Sequence, residues 1–290
     1  MPEARIIKIV SNQYTLLNHQ HEIFLAVAMG KLRLKKSPVV GDFVRYEQHE
    51  GQVGIEQVLP RKNALVRPLI ANVDQALIVM SAIKPEFSSQ LVDRLCILVR
   101  AADIEPVLIV TKLDLIPTDD PLYVVLQEYR NGGTPVVEVG RDRPITDLLS
   151  VLDGKISVLT GQSGVGKSSL VNRLDLKFDL ATQEISRALG RGKHTTRHVQ
   201  LHEAGGGWIA DTPGFSSLDF TQLDPDLIEN HIAEFKPFLG ECRFRNCRHE
   251  NEPDCAIKQA VQDGKIPQTR YKNYLEIYKI SKEAKETQYL

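Results

Sequence analysis

The chain has 290 residues, 25% of them charged, with a formal net charge of −1, an ordinary balance for a globular protein long enough for two or three domains. Its start, "MPEARIIKIV", carries charge early and lacks the apolar stretch of a signal peptide, and the longest mainly apolar run, "ALIVMSAI", is too short to span a bilayer. A cytoplasmic protein with no membrane partner is expected, and a nucleic-acid partner is expected only if basic residues are gathered in one place.

Residues 1–66 read as five short strands, "ARIIKIV", "QYTLLN", "EIFLAVA", "GDFVRYE" and "GQVGIEQVL", which predict a small closed barrel of the OB type. From 67 to 222 the rhythm changes. "NVDQALIVMSA", "EPVLIVT", "TPVVEVG" and "KISVLTG" alternate with helical patterns at "SQLVDRLCILVRAAD", "PLYVVLQEYRNG" and "ITDLLSVLDG", the signature of an α/β unit with a parallel sheet. Cys96 falls on the apolar face of the first of these helices and is expected in the core. Residues 223–290 turn helical. Asp224 before Pro225 is a plausible helix cap, and two further helices are expected near 255–264 and 268–286.

The chemistry is concentrated in four stretches. "GQSGVGKSS" fits the phosphate-loop pattern at Gly161, Gly166, Lys167 and Ser168. Backbone N–H groups from Gly161 through Gln162, Ser163, Gly164, Val165, Gly166 to Ser169 would cradle phosphates, with Lys167 on the β- and γ-phosphates and Ser168 on Mg²⁺. "DTPG", Asp211 to Gly214, follows the apolar "WIA"; such an aspartate supports Mg²⁺ and such a glycine N–H meets the γ-phosphate. "TKLD", Thr111 to Asp114, ends the "VLIV" strand. A carboxylate at Asp114 accepts from guanine N1–H and its exocyclic amine, while the Lys112 stem lies along the base; adenine would leave that carboxylate unpaired, so GTP is the expected nucleotide and ATP the runner-up. Between the phosphate loop and DTPG lies a basic island containing Arg187, Arg191, Lys193 and Arg197. It reads as a switch, in which Thr195 or Thr196, the latter favoured, offers its hydroxyl to Mg²⁺ and its N–H to the γ-phosphate.

In most GTPases the phosphate loop comes first and base recognition last, yet here the order is 111–114, 161–168, about 195, then 211–214. The domain is circularly permuted, a rearrangement that leaves the packed sheet intact when the original termini lie close together. Near the C-terminus, Cys242, Cys247, His249 and Cys255 follow a C-x₄-C-x-H-x₅-C spacing. Three thiols and an imidazole make a closed, structural Zn²⁺ set, and Arg243, Arg245 and Arg248 among them suit an RNA-facing loop. The later stripe Tyr271, Tyr274, Tyr278 reads as packing rather than base stacking.

The motif order, with "GQSGVGKSSL", "GRGKHTTRHVQL", "DTPGF", the junction segments "RKNALVRP" and "NVDQALIV" and the cysteine–histidine cluster, resembles the bacterial small-ribosomal-subunit biogenesis GTPases of the RsgA type over nearly the whole chain. The resemblance implies an N-terminal OB-fold, a permuted GTPase and a C-terminal zinc domain that together bind rRNA, and GTP hydrolysis stimulated by the 30S subunit with its 16S rRNA during late maturation. A monomer is expected. Phe215 stands where many GTPases place the glutamine that orients water; an apolar side chain cannot do so, and His194 is the internal candidate, which the family resemblance supports. The "VEVG" segment departs from the SAK-like guanine loop expected there. The alternatives are a P-loop ATPase or kinase, and an RNA-binding module whose GTP site is only structural.

Overall fold

Alternation of buried and exposed residues along the first five strands allows one face of each to close on a common core. The computed structural model describes residues 1–29, 37–49, 51–65, 69–141, 143–174, 199–211 and 223–287. Strands β1 (Glu3–Val10), β2 (Gln13–Asn18), β3 (Ile23–Ala28), β4 (Phe43–His49) and β5 (Gln52–Val58) all form where the sequence places them. They pair in the order β1-β2-β3-β5-β4, and β4 returns to β1, so the barrel closes; β3 and β5 run parallel and the other pairs antiparallel. Ile6, Leu16, Val44 and Ile55 fill its interior with no exposed surface.

Two short strands, β6 (Ala64–Leu65) and β7 (Ile70–Ala71), mark the passage out of the barrel. Buried polar side chains secure this junction. The Asp42 carboxylate, fully buried, accepts from Arg61 Nε at 2.6 Å and from the Val39 amide at 2.8 Å. Asn63 donates to the carbonyls of Val73 and Asp103 and accepts from the Val73 amide, while Asn72 donates to Gly41 O. Apart from the Arg61–Asp42 pair, each bond satisfies a main-chain group taken out of water, where an unpaired one would cost about 1–3 kcal/mol.

The second sheet consists of β8 (Gln75–Ser81), β9 (Glu105–Thr111), β10 (Val136–Glu138), β11 (Ile156–Thr160), β12 (Gln200–Ala204) and β13 (Gly207–Asp211), in the order β10-β9-β8-β11-β13-β12. All but β12 are parallel to their neighbours. Every residue of β8 is buried, as a central strand covered on both faces requires. Gly205 and Gly206, both at positive φ, make the tight turn between β12 and β13. At its outer edge β12 pairs antiparallel with β1, which joins barrel and sheet into one hydrogen-bonded array.

Helices α1 (Ser89–Ala101), α2 (Leu122–Asn131) and α3 (Thr146–Leu152) connect the parallel strands, and α4 (Lys167–Leu174) follows the phosphate loop. Ser88 caps α1 by accepting from the Leu91 amide, and Val92, Leu95, Cys96 and Val99 turn inward at helical spacing. Cys96 is buried there, as expected.

Past residue 223 the chain is helical but not uniformly α. Asp224 caps a 3₁₀ segment, Pro225–His231, by accepting from the Asp226 amide; a second 3₁₀ segment, Ala233–Phe238, contains Pro237. A proline inside the run removes a donor and blocks an α-helical register. Helices α5 (Ala256–Gln262) and α6 (Gln268–Thr287) complete this unit around Phe235, Tyr274 and Ile277. The tyrosine stripe on α6 is packing: Tyr274 and Tyr278 are buried, and the Tyr274 hydroxyl donates to Arg248 O at 2.8 Å.

The helical unit docks on α1 through buried charge. Arg270 of α6 pairs with Asp93 of α1 and, at 2.8 Å, with Glu234, its guanidinium lying 4.0 Å from the centre of the Tyr129 ring. Asp93 also accepts from the Tyr129 hydroxyl at 2.8 Å and from Asn273 at 2.6 Å. Removing one member of such a set leaves a buried charge unpaired, so the network fixes one docking geometry. Among the described residues no helix is long and apolar enough to cross a membrane.

Candidate functional site

Because β8, β9, β10 and β11 are parallel, their C-terminal ends lie along one edge of the sheet, where open α/β folds bind ligands. The phosphate loop leaves β11 there. Gly161 has φ +136°, and a Cβ on it would lie 2.1 Å from Val79 O. No side chain fits. Gly164 and Gly166 also have positive φ, which lets successive amides curl inward into an anion cradle. Val165 is buried and anchors the loop, whereas Gln162, Ser163, Gly164, Ser168 and Ser169 are exposed. The Lys167 ammonium donates to Gly161 O at 2.7 Å and Gln162 O at 2.6 Å, and burial holds its pKa below the ordinary lysine value. A phosphate would offer this amine charged acceptors in place of neutral carbonyls, a stronger pairing.

A Gly161→Ala protein is therefore expected to lose nucleotide binding by at least about 100-fold, because the added methyl must displace the β8 backbone and adopt a strained φ. Equilibrium titration with a fluorescent GDP analogue checks it; near-normal affinity would contradict the close packing of loop on strand.

The TKLD segment ends the neighbouring β9 and meets this loop directly. Thr111 is buried, with its hydroxyl 2.6 Å from Val165 O and 3.2 Å from Met80 O, so it ties the end of β9 to the loop after β11. Lys112 takes a left-handed backbone conformation, and its ammonium donates to Gly164 O at 2.9 Å and to Lys84 O. Lys112 is one of the residues lining a cavity of about 260 Å³. Asp114, Gly140, Arg141, Ser169 and Arg173 are among the other lining residues. Asp114 Oδ1 accepts from the Arg141 amide at 3.4 Å, and a Cβ on Gly140 would come within 3.3 Å of the same oxygen. Gly140 thus lets the loop after β10 approach the carboxylate.

That loop is where the expected SAK-like sequence is missing. Position, not sequence, brings it to the cavity: β10 lies parallel to β9, so the loops after both strands open on the same side. Glu138 braces it. Burial alone would raise this carboxyl, but hydrogen bonds from Arg130 and Arg143 outweigh the burial and hold it below the usual glutamate range. Motif reading misses both Arg173, which lines the cavity, and Glu138, which braces the loop beside it, since single charged residues carry no pattern.

Asp211 ends β13, which pairs parallel with β11 in a register of Val158 to Ala210, so its backbone lies beside the strand that feeds the phosphate loop. The Asp211 side chain, His194, Thr195, Thr196, Gly214 and the basic island of Arg187, Arg191, Lys193 and Arg197 lie outside the described residues.

Comparison with known proteins decides the family. The family model for the RsgA GTPase matches residues 58–221. The small ribosomal subunit biogenesis GTPase RsgA of Geobacillus sp. (strain WCH70) is 44% identical over 291 residues, covering 98% of this chain and 99% of that protein. This chain belongs to the RsgA GTPase family. The Bacillus subtilis RsgA is 43% identical over 95% of this chain and 96% of its own length. Among solved structures, YloQ, described as a circularly permuted GTPase, superposes with a TM-score of 0.85 at 37% identity, covering 98% of this chain and 96% of that one. YjeQ from Thermotoga maritima gives 0.81 at 34% identity, covering 97% and 98%. The RsgA-family chain is thus a circularly permuted GTPase with an OB-like barrel, an enzyme that hydrolyses GTP to GDP and phosphate.

In the helical unit Cys242, Cys247, His249 and Cys255 bring one ligand atom each to within 4.8 Å of one another, and this set can hold a metal ion. The donors fit one tetrahedral ion of the zinc type. His249 Nδ1 faces the sulfurs, 3.3 Å from Cys255 Sγ, while Nε2 lies 3.1 Å from Glu229 Oε2, close enough for a carboxylate to neighbour the ring although the angle falls outside hydrogen-bond geometry. Burial pushes the Cys247 thiol up to about 12 and raises Cys255, so metal uptake at neutral pH must displace protons. The Tyr271 hydroxyl donates to His249 O at 2.5 Å, which ties the cluster to α6.

Proposed function

We propose that this RsgA-family GTPase is a late-stage assembly factor of the 30S ribosomal subunit, acting as a cytoplasmic monomer that binds 16S rRNA. Full-length similarity to proteins named for small-subunit biogenesis supports this reading. Three units would divide the work: residues 1–66 and 223–290 holding rRNA and residues 67–222 binding GTP or GDP, with one structural Zn²⁺ on Cys242, Cys247, His249 and Cys255.

In the nucleotide site, Asp114 accepts from the guanine edge and Lys112 lies against the base, while Thr111 keeps both in register with the phosphate loop. Amides of Gly161, Gln162, Ser163, Gly164, Val165, Gly166, Ser168 and Ser169 hold phosphates, with the Lys167 ammonium on the β- and γ-phosphates. Ser168, Thr196 and Asp211 would hold Mg²⁺, a hard-oxygen donor set suited to it. When bound, Mg²⁺ supplies charge neutralisation to the β- and γ-phosphate oxygens. Thr195 or Thr196 and Gly214 would close on the γ-phosphate, and His194 would orient the attacking water, the role Phe215 cannot fill. Hydrolysis removes the contact that orders the switches, and the short chain from Gly214 to the helical unit would carry that change outward.

Co-sedimentation with purified 30S particles tests the partner. Binding is expected with a non-hydrolysable GTP analogue and much weaker with GDP; equal binding in both states, or preference for the 50S subunit, would overturn the reading.

A further inference from the structure

Arg173 sits two turns beyond the phosphate loop, at the end of α4, yet its guanidinium reaches back to the loop after β10. Its NH1 donates to Gly140 O at 2.8 Å and its NH2 to Arg143 O at 3.0 Å. We infer that Arg173 is a positioning residue for guanine recognition, a role that rests on the proposed base site at Asp114.

The argument follows from peptide geometry. The Gly140 carbonyl and the Arg141 N–H belong to one planar trans peptide, so they point in opposite directions. Arg173 holds the oxygen, and the N–H is therefore turned toward Asp114, whose Oδ1 lies 3.4 Å away at the edge of the 260 Å³ cavity. The amide's single N–H is given to the carboxylate, so it fixes the Asp114 side chain and leaves the remaining carboxylate lone pairs to accept from a base. A purine with N–H groups at N1 and C2 meets this held acceptor with donors, whereas one whose N1 is a bare acceptor sets lone pair against lone pair. The second bond, to Arg143 O, pins the far side of the same loop, and Arg143 in turn is held by Glu138.

The arrangement also joins the two ends of the nucleotide site. Gly166 just before α4, Ser169 in its first turn and Arg173 near its end all line the cavity. The helix that begins at the phosphate loop thereby sets the loop that faces the base, so phosphate binding and base selection share a rigid element. Lysine carries a single charged centre and cannot bridge two carbonyls in the fixed fork that arginine provides.

The test measures affinity for GDP, IDP and ADP in the full-length protein carrying Arg173→Ala, Arg173→Lys or no substitution, together with kcat and KM for GTP. Arg173→Ala is expected to weaken GDP and IDP on the order of tenfold with little change for ADP, and to raise KM while kcat at saturating GTP stays within about twofold. Arg173→Lys is expected to recover part of the loss, and millimolar guanidinium to restore some affinity to the alanine variant alone. Because the side chain is largely exposed, both variants should fold, which unchanged thermal unfolding confirms. An equal loss for ADP and GDP, or GDP affinity unchanged in the alanine variant, would overturn the assignment. If the unsubstituted protein itself shows no preference for GDP over ADP, the guanine-site reading fails first, and the Arg173 inference with it.

Discussion

Replacing Asp114 by asparagine is expected to turn the enzyme from guanine toward xanthine nucleotides. The carboxylate is an acceptor only, suited to the two N–H donors on guanine's N1 and C2. Asparagine offers an amide N–H₂ as well, which suits the carbonyl that xanthine carries at C2. Loss of a charge-assisted pair in a partly enclosed site is worth roughly 3 kcal/mol, or about 100-fold in affinity. Titration with GDP and XDP should show GDP affinity falling by about that factor while XDP improves. The position favours a clean result. Asp114 is exposed, and its protein contact, a 3.4 Å bond from the Arg141 amide, survives the substitution because the asparagine oxygen can still accept. Unchanged GDP affinity would show that the base sits elsewhere.

Removing metal from the proposed Cys242, Cys247, His249 and Cys255 site is expected to unfold the helical unit while leaving nucleotide binding intact. Cys247, Cys255 and His249 are all buried, and without a metal their polar atoms face one another in the core that includes Phe235 and Tyr274. Residues 240–255 contain no regular helix or strand, and their remaining ties are single hydrogen bonds and ion pairs such as Arg248 to Asp226 and Tyr271 to His249 O. For small closed sites of this type, metal binding is worth about 10 kcal/mol or more of folding free energy. Strong chelation, or a Cys247→Ser substitution, should therefore expose residues 223–287 to protease and abolish a low-temperature portion of the thermal transition. GDP binding should persist, since the phosphate loop and Asp114 stand on the parallel sheet. A metal-free protein with unchanged protease resistance would contradict a structural role; stoichiometric metal in the purified protein, read by elemental analysis, complements the test.

Much of this architecture is written locally. The five barrel strands carry their own alternation and turns, and the parallel strands carry continuous apolar runs, so both sheets follow from short-range pattern. The strand–loop–helix setting of GQSGVGKSS and the strand-end position of TKLD were legible because each lies in consecutive residues. Three features were not. The 3₁₀ form of Pro225–His231 and Ala233–Phe238 depends on Pro237 and on packing against α1, and helical periodicity alone does not separate it from an α-helix. The junction asparagines, Asn63 and Asn72, act by satisfying backbone groups that become buried only once the barrel meets the sheet. The loop Val139–Arg141 reaches the cavity beside Asp114 by topology, through the parallel pairing of β10 with β9, and Arg173 by a reach of 33 residues in sequence. Tertiary contacts of this sort leave no spacing to read.

The most direct test of the central claim is GTP turnover by the purified protein with and without purified 30S subunits, at matched Mg²⁺ and salt, with 50S subunits as control. Slow intrinsic hydrolysis, raised by more than about tenfold by 30S and unchanged by 50S, is the predicted result. Turnover indifferent to 30S in a protein that binds GDP normally would contradict the account: the GTPase would stand, and the small subunit would not be its partner.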